Sequence, residues 1–455
     1  MPPPHLSLLT IEDRSRKNSA PSVQGGCRSM RVLFVSTYFP RDLHILVHGV
    51  FKRMGMFVDA IKEIAQLDVL FYVSPDIDVS APAVSAFERS LSEHWNAEIR
   101  LFLCRGVERK RQVSKWRRYG ASVFSSFRRG ISTSTSGPNQ VQAFEACLQR
   151  KPDAIFAHKL SGMSPVLLAT NGNLPPIFFD LDDIEHIALL RDISQQTRLH
   201  SKVLSYLRVP GLLWGERRAM RLAHRTFVCS ELDRHYLANR WHVPGIVTVP
   251  NAVAIPELQP LTPEPTLVFI GSYRHKPNVD AVEFLVGEVW PRVYRKMPAA
   301  RLIIAGNPPD RLRGYNDGVP GVEFTGFVDD LGALYRRSRV VCAPIFVGAG
   351  TRVKIIEAAA YGRAIVATTI GAEGLEMRDG HELLLRDDPY SFAEACLRLL
   401  KDPSLCKQLG SAARAKAVEC YDRANIVRLI QRCLKEEDSR VPNPPRNAPG
   451  EFVCQ

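Results

Sequence analysis

The segment Ala343-Pro-Ile-Phe-Val-Gly-Ala-Gly-Thr-Arg-Val-Lys-Ile-Ile-Glu-Ala-Ala-Ala-Tyr-Gly362 decides how this chain is interpreted. A predicted strand ends near Pro344, a loop with two glycines follows, and Thr351 is placed to cap the next helix. Gly348 and Gly350 let the backbone approach a ligand without a Cβ clash. The segment therefore predicts a strand, a glycine loop and a helix start, an arrangement that favours anions.

The first turn of this predicted helix carries Arg352 and Lys354, which oppose the helix dipole unless an anion offsets them. Arg352 offers a planar fork of donors and Lys354 a point charge, so both suit a phosphate. Glu357, further along the helix, is placed to accept hydrogen bonds from ribose hydroxyls. A plain turn with a solvated basic helix face is the alternative, and the strand–loop–helix setting favours phosphate binding.

Two parts of the chain repeat one order of predicted elements. Arg31–Pro40 is a buried strand ended by turn residues, and Leu267–Tyr273 has the same character. A helix is predicted after each of them, and strands and helices alternate onward. This pattern predicts an α/β fold with two doubly wound parallel sheets that face a ligand cleft. Prolines between Pro250 and Pro265 exclude regular structure there and mark a linker.

The predicted organisation has six parts. They are a disordered tail at 1–29, a Rossmann-like domain at 30–248, a linker at 249–265, a second Rossmann-like domain at 266–421, a C-terminal helix at 422–439 and a second disordered tail at 440–455. The first tail fits neither a secretory signal nor a transit peptide, and Met30 is an alternative start of the chain.

The composition excludes several classes of protein. Of the 455 residues, 45% are hydrophobic and 24% charged, which excludes a wholly disordered chain. No apolar run approaches the roughly 18 residues that span a bilayer. The ten cysteines never fall at C-x-x-C spacing, so we expect reduced thiols in a cytosolic setting rather than a zinc site.

The net charge of +13 is concentrated in one stretch. Residues 100–129 hold ten basic residues and one acidic residue, Glu108, which gives +9, and aromatic residues are interleaved with them. This composition predicts contact with an anionic membrane surface. A solvated helix face or mobile loop is the structural alternative, and RNA binding is disfavoured because no nucleic-acid module is visible.

Several segments, taken together, resemble the group 1 family (family 4) of retaining GT-B glycosyltransferases. The segments are Arg352–Gly362, Ile365–Leu375, Asp379–Leu385, Val249–Val253, Phe269–Tyr273, Pro277–Ala281, Ile304–Gly306 and Phe324–Gly326. The resemblance implies GT-B architecture, in which the second domain binds a nucleotide-sugar such as a UDP- or GDP-sugar. It also implies that the first domain binds the acceptor and that the last helix packs back on the first domain.

The resemblance also assigns site residues. It implies catalytic roles for His158, Arg352 and Lys354. The donor-binding residues that it implies are Gly49, Gly271, Ser272, Lys276, Gly306, Gly348, Gly350, Thr351 and Glu357. Two positions depart from the family pattern, since Ala349 replaces a glutamate and Ser272 stands where a basic residue is usual.

An Asp-x-Asp pattern at Asp180-Leu-Asp182 needs a separate interpretation. Such a pair after a strand holds manganese in other glycosyltransferases. We prefer carboxylates that cap the helix running through Glu185 and His186, because the phosphate-binding features lie in the other domain. No metal is therefore expected, in agreement with what the family resemblance implies.

The sequence thus predicts a retaining glycosyltransferase (a hexosyltransferase) that moves a sugar from a nucleotide-diphosphate sugar to a glycan or lipid-linked acceptor. Bacterial exopolysaccharide, lipopolysaccharide or other surface glycan synthesis is the expected setting. The expected location is the cytoplasm, peripheral on the inner face of the plasma membrane. A catalytically silent GT-B scaffold that docks a glycan-assembly complex at the membrane, and a sugar-nucleotide epimerase, are the alternatives.

Overall fold

The computed structural model describes residues 30–41, 43, 49–106, 135, 137–169, 173–196, 198–307 and 318–435. The predicted tails at 1–29 and 440–455 lie outside these residues. So do residues 107–129, which make up most of the basic stretch.

Within the described residues, the first domain is built on one parallel sheet. Its strands are Arg31–Ser36 (β1), Gln66–Val73 (β2), Ile99–Arg105 (β3), Ala154–His158 (β4), Ile177–Asp182 (β5), Arg225–Val228 (β6) and Ile246–Thr248 (β7). They lie in the order β3-β2-β1-β4-β5-β6-β7. The central strands are continuous apolar runs because helices cover both faces of such a sheet.

The helices of the first domain connect these strands. They are Gly49–Lys62 (α1), Ala81–Trp95 (α2), Pro138–Leu148 (α3), Lys159–Leu168 (α4), Glu185–Gln195 (α5), Leu199–Tyr206 (α6), Val209–Leu222 (α7) and Glu231–Trp241 (α8). In α1, Met54, Val58 and Ile61 are spaced by four and three residues, so they share one face and are buried together.

The second domain repeats the design. Its strands are Thr266–Ile270 (β8), Arg301–Ala305 (β9), Val322–Gly326 (β10), Val340–Ala343 (β11), Ala364–Ala367 (β12) and Leu384–Leu385 (β13), in the order β10-β9-β8-β11-β12-β13. Its helices are Lys276–Glu283 (α9), which continues as a π-helical segment at Phe284–Val289, Trp290–Lys296 (α10), Leu331–Arg336 (α11), Val353–Ala360 (α12), Pro389–Lys401 (α13) and Pro403–Tyr421 (α14).

The last helix, Arg423–Lys435 (α15), belongs to the core of the first domain. Its Ile430 is fully buried among first-domain residues, and Arg423 Nη2 lies 2.6 Å from Asp59 Oδ2 on α1. Val253 in the linker contacts the start of α15, because the Val253 carbonyl accepts a hydrogen bond from the Arg423 amide at 3.0 Å. The chain therefore passes between the domains twice, at 249–265 and before α15.

The strand order reverses between β1 and β4 in the first sheet and between β8 and β11 in the second. Ligands of doubly wound sheets bind at such switch points, beyond the carboxyl ends of the strands. The predicted α/β fold of two doubly wound sheets is confirmed. In the described part of the chain, no helix combines the length and apolar character needed to cross a membrane.

Candidate active site between the two domains

The glycine loop lies between β11 and α12 and is pressed against the first domain. Gly350 has a φ of +70°, and a Cβ built there would lie 1.8 Å from Asp183 Oδ1, so only glycine fits. The prediction that Thr351 caps the helix is wrong, because Arg352 occupies the cap position and no side chain caps the helix. Thr351 Oγ1 instead accepts a hydrogen bond from Asn251 Nδ2 at 2.9 Å.

Only some of the hydrogen-bond donors of Arg352 have partners in this loop. Its Nη1 donates to the carbonyls of Ala349 and Gly350 at 2.5 and 2.8 Å. Its Nε and Nη2 are buried and have no hydrogen-bond partner among the described residues. Burial lowers the pKa of Arg352, and the nearby carboxylate of Asp183 only partly opposes this effect. Two donors of a buried guanidinium are therefore available to an anion.

Lys354 stands beside Arg352 in the first turn of α12. Its Nζ donates to Asn278 Oδ1 at 2.8 Å and lies 4.4 Å from the centroid of the Phe269 ring. Burial and the charge of Arg352 lower the pKa of Lys354 to about 7. We call the α12 start, with Arg352 and Lys354, the anion site.

Glu357 lies one turn beyond the anion site and is bound from the other domain. Lys52 of α1 forms an ion pair with Glu357 Oε1, and the two side chains are 22% and 15% exposed. The first turn of α1 thus faces the start of α12, since a Cβ on Gly49 would lie 3.5 Å from Val353 Cγ2. Gly49 and Glu357 therefore both lie where α1 meets α12.

The carboxyl ends of β8 and β9 lie close together in the second domain. Gly306 has a φ of +148°, and a Cβ there would lie 1.7 Å from the carbonyl oxygen of Gly271, so the two strand ends meet closely. The hydroxyl of Ser272 is buried without a partner. Lys276 lies at the start of α9, where its side chain is 77% exposed and pairs with Asp280.

His158 ends β4 at the switch point of the first sheet. It is fully buried, and its Nδ1 lies 2.9 Å from Ser36 Oγ at the end of β1. Burial, together with the charge of Lys159, lowers the pKa of His158 to about 3, so the ring is neutral. Its Nε2 has no hydrogen-bond partner and lies 3.8 Å from Asp180 Oδ2.

Asp180 and Asp182 do not cap α5, so that prediction is wrong. Both are buried in β5, and the cap position belongs to Ile184, whose side chain makes no cap. Arg53 of α1 donates to Asp180 through Nε and Nη2, the latter at 2.7 Å, and its Nε lies 3.2 Å from Asp182. Burial alone lowers the pKa of Arg53, but these carboxylates raise it above its ordinary value.

Lys159 completes this group, which we call the paired cluster: Arg53, Lys159, Asp180 and Asp182. Lys159 Nζ lies 2.8 Å from Asp182 Oδ2 and 3.4 Å from Asp183 Oδ2. Asp182, Asp183 and Cys229 present ligand atoms within 4.8 Å of one another, a spacing compatible with a metal. The Lys159 ammonium already binds both carboxylates of this set, and Arg53 also pairs with Asp182, so the residues fit a metal poorly.

Two further residues join the domains around the glycine loop, and the sequence analysis did not single them out. Asn251, in the linker, binds Thr351 and also accepts from Arg53 Nη1 at 3.3 Å. Arg191 of α5 donates to the Gly348 carbonyl at 2.8 Å and forms an ion pair with Glu373. Asn251 lies in the Val249–Val253 segment, whose resemblance to the family was a signal in the local sequence. No such signal pointed to Arg191.

The geometry thus defines a class: two Rossmann-like domains with an anion site at the cleft, the architecture of GT-B glycosyltransferases. Residues 264–402 match the family described as glycosyl transferases group 1. A phosphatidyl-myo-inositol mannosyltransferase of Mycobacterium leprae is 30% identical over 213 residues, which are 43% of this chain and 56% of that protein. The chain therefore spans little more than half the length of this curated relative.

Solved structures of the same architecture cover more of the chain. Sucrose-phosphate synthase from Thermosynechococcus elongatus has a TM-score of 0.63 at 15% identity, covering 89% of this chain and 98% of that one. HepE of Anabaena, in complex with UDP and glucose, has a TM-score of 0.57 at 13% identity, covering 89% and 99%. The GT-B fold and the resemblance to group 1 glycosyltransferases expected from the sequence are confirmed.

Proposed function

We propose that this chain is a retaining glycosyltransferase that transfers a sugar from a nucleotide-diphosphate sugar to a glycan or lipid-linked acceptor in surface glycan synthesis. The observation that carries the proposal is the anion site, where neither Arg352 nor Lys354 is bound to a carboxylate among the described residues. Burying an unpaired charge is costly, so the site is built for an anion that the free protein lacks. A nucleoside diphosphate supplies that charge.

The same groups act on the reaction. When the bond between the anomeric carbon and the diphosphate breaks, negative charge grows on the leaving phosphate. Arg352 Nε and Nη2, the amides at the start of α12 and the Lys354 ammonium are already fixed beside that position. Preorganised donors of this kind stabilise the transition state without reorganising during the reaction.

The acceptor side of the cleft is formed by the first domain. Neutral His158, with its free Nε2, is suited to a hydrogen bond with the donor sugar and not to a charge interaction. The acceptor hydroxyl attacks from the face that the diphosphate leaves, and the departing phosphate takes its proton. The configuration at the anomeric carbon is then retained, and no protein nucleophile is needed.

The proposed reaction requires no divalent metal. Lys159 supports this, because its ammonium lies between the carboxylates that form the candidate metal group. Turnover is expected to be unchanged by EDTA and by added manganese. Loss of activity in EDTA that manganese restores would assign a metal to Asp182 and Asp183.

The test is the release of nucleoside diphosphate from UDP- and GDP-sugars by the purified chain. Arg352→Ala is expected to lower turnover by about 10²–10³-fold, the effect of removing one preorganised oxyanion donor. Glu357→Ala is expected to raise the donor KM, because the ribose loses its acceptor. Arg337→Ala is the matched control, since this arginine of the same domain forms an exposed pair with Glu323. Full activity of both site variants would refute the assigned donor site.

A catalytically silent scaffold is the second candidate, favoured by Ala349 in place of the family's glutamate. Ala349 offers the glycine loop only its carbonyl, which Arg352 binds. A scaffold need not bind nucleotides, so a thermal-shift screen with nucleotide-sugars separates the two functions. Binding with turnover supports the enzyme, and the absence of binding to every donor supports the scaffold.

A further inference from the structure

Exposed apolar side chains of the described residues concentrate on one part of the first domain. Seven of the eleven large ones lie between residues 190 and 222, on α5, α6 and α7. They are Leu190, Leu199, Val203, Tyr206, Leu207, Trp214 and Leu222, and Leu199 is 76% exposed. The whole of α6 contains no buried residue. Exposed apolar side chains scattered singly are ordinary, whereas a concentration of this kind marks an interaction surface.

The helical spacing gathers these side chains into stripes. Leu199, Val203 and Tyr206 are four and three residues apart, so they lie on one side of α6. On α7, Trp214 and Leu222 are exposed and two turns apart, so they share a second stripe. The two helices follow one another along the chain, joined by only Leu207 and Arg208.

The charge of α6 and α7 is predominantly positive, while Asp192 on the adjoining α5 is an exposed acidic residue. Residues 198–222 contain six basic residues and one acidic residue, Glu216. Glu216 is fully buried and hydrogen-bonds to His186, so its carboxylate does not reach the surface. The basic residues are Arg198, Lys202, Arg208, Arg217, Arg218 and Arg221. Arg218 also lies over the Trp214 ring, with its guanidinium carbon 5.3 Å from the ring centroid.

We propose that residues 198–222 form a docking surface for an anionic lipid bilayer. Leucine and tryptophan side chains enter the headgroup and acyl boundary, while arginines bind anionic headgroups. A second copy of the chain fits less well, because this surface would bring two sets of like charges together. RNA would bind the arginines but would leave the apolar side chains of α6 exposed to solvent.

The position of the surface relates it to the cleft. Helix α5, which immediately precedes α6, carries Arg191, and Arg191 binds the Gly348 carbonyl of the donor domain. Helix α5 therefore joins this surface to the interdomain site. In the reaction, the acceptor would then reach the cleft from the membrane. The role of the acceptor rests on the proposed function, whereas the binding of the bilayer does not.

The test is co-sedimentation of the full chain with vesicles of phosphatidylcholine alone and of equimolar phosphatidylcholine and phosphatidylglycerol. The wild-type chain is expected to bind the anionic vesicles. Leu199→Gln combined with Tyr206→Ser and Trp214→Ser is expected to lower the partition coefficient at least tenfold. Each of Arg217→Ala and Arg221→Ala is expected to lower it about fivefold, the share of one basic residue near such a surface.

The matched control removes exposed apolar side chains elsewhere: Leu258→Gln with Tyr390→Ser, at positions 61% and 65% exposed. This variant is expected to bind vesicles like the wild type. UDP binding by calorimetry is expected to be equal in all variants, so a failed donor site is detected separately from a failed surface. Equal vesicle binding by the triple variant and the wild type overturns the proposal. So does a wild-type dimer that the triple variant dissociates while neither chain binds vesicles.

Discussion

Two groups of buried charges lie at matching edges of the two sheets, and only one of them is paired. In the paired cluster, Arg53 binds Asp180 and Asp182, and Lys159 binds Asp182. In the anion site, Arg352 binds carbonyls, and Lys354 binds an amide oxygen and contacts an aromatic ring. A buried charge destabilises a fold unless an opposite charge accompanies it. The comparison separates charges that hold the first domain together from charges that the proposed function assigns to a ligand.

The largest expected effect breaks the paired cluster. Arg53→Met leaves Asp180 and Asp182 buried with much of their compensation removed, which is expected to cost about 3–5 kcal/mol of unfolding free energy. Arg352→Met removes a buried cation that has no bound carboxylate, so in the absence of ligand its stability is expected to equal or exceed that of the wild type. Urea unfolding of the two variants and the wild type measures the difference.

The pair of variants controls for the substitution itself, since both replace a largely buried arginine by methionine. Equal losses of stability in Arg53→Met and Arg352→Met would remove the distinction between the two groups. A stable Arg352→Met variant that still binds UDP would keep the distinction between paired and unpaired charges. It would also show that UDP binds elsewhere than at the anion site.

The second prediction concerns the protonation of Lys354 in the anion site. The pKa of Lys354 is about 7 in the free chain, below its ordinary 10.5, because the side chain is buried beside Arg352. Between these values the unfolded chain binds a proton that the folded chain lacks, so stability rises with pH across this window. A bound diphosphate favours the charged ammonium and raises its pKa. Binding of UDP at about pH 8 is therefore expected to take up close to one proton.

Calorimetry in two buffers of different ionisation enthalpy, HEPES and Tris, measures this uptake. Lys354→Met is expected to abolish it and to weaken binding as well. A binding heat that is the same in both buffers for the wild type would show that Lys354 is charged before the nucleotide arrives.

Much of the fold could be predicted from local sequence, because a buried parallel strand is a short apolar run and a helix has its own period. The strands that open the domains, at Arg31–Ser36 and Thr266–Ile270, have this form. The glycine loop and its two basic residues were found in the same way. The glycines and the two basic residues lie in one continuous segment, so the local sequence is enough to find them.

The failures share a cause, which is a partner from a distant part of the chain. Thr351 does not cap its helix because Asn251, one hundred residues earlier, holds its hydroxyl. The two carboxylates of the Asp-x-Asp pattern do not cap a helix because Arg53 reaches them from α1. Local patterns place a side chain at a strand end, but they do not show which distant side chain meets it there.

The smallest expected effect concerns Lys52, where the two domains meet. Its ion pair with Glu357 orients the proposed ribose acceptor from across the cleft. Lys52→Gln is expected to raise the donor KM about fivefold, the effect of about 1 kcal/mol for a half-buried charged hydrogen bond discounted for solvent. Turnover at saturating donor is expected to change less, and Lys52→Arg is expected to restore the KM.

Lys296→Ala is the matched control for this prediction. It removes a lysine of the second domain whose side chain is 43% exposed and pairs with Glu394, so the donor KM is expected to stay within about twofold of the wild type. A lower donor KM in Lys52→Gln would show that Lys52 competes with the ribose for Glu357. In that case the ion pair holds the cleft closed in the free chain, and charges from both domains have to separate before the donor binds.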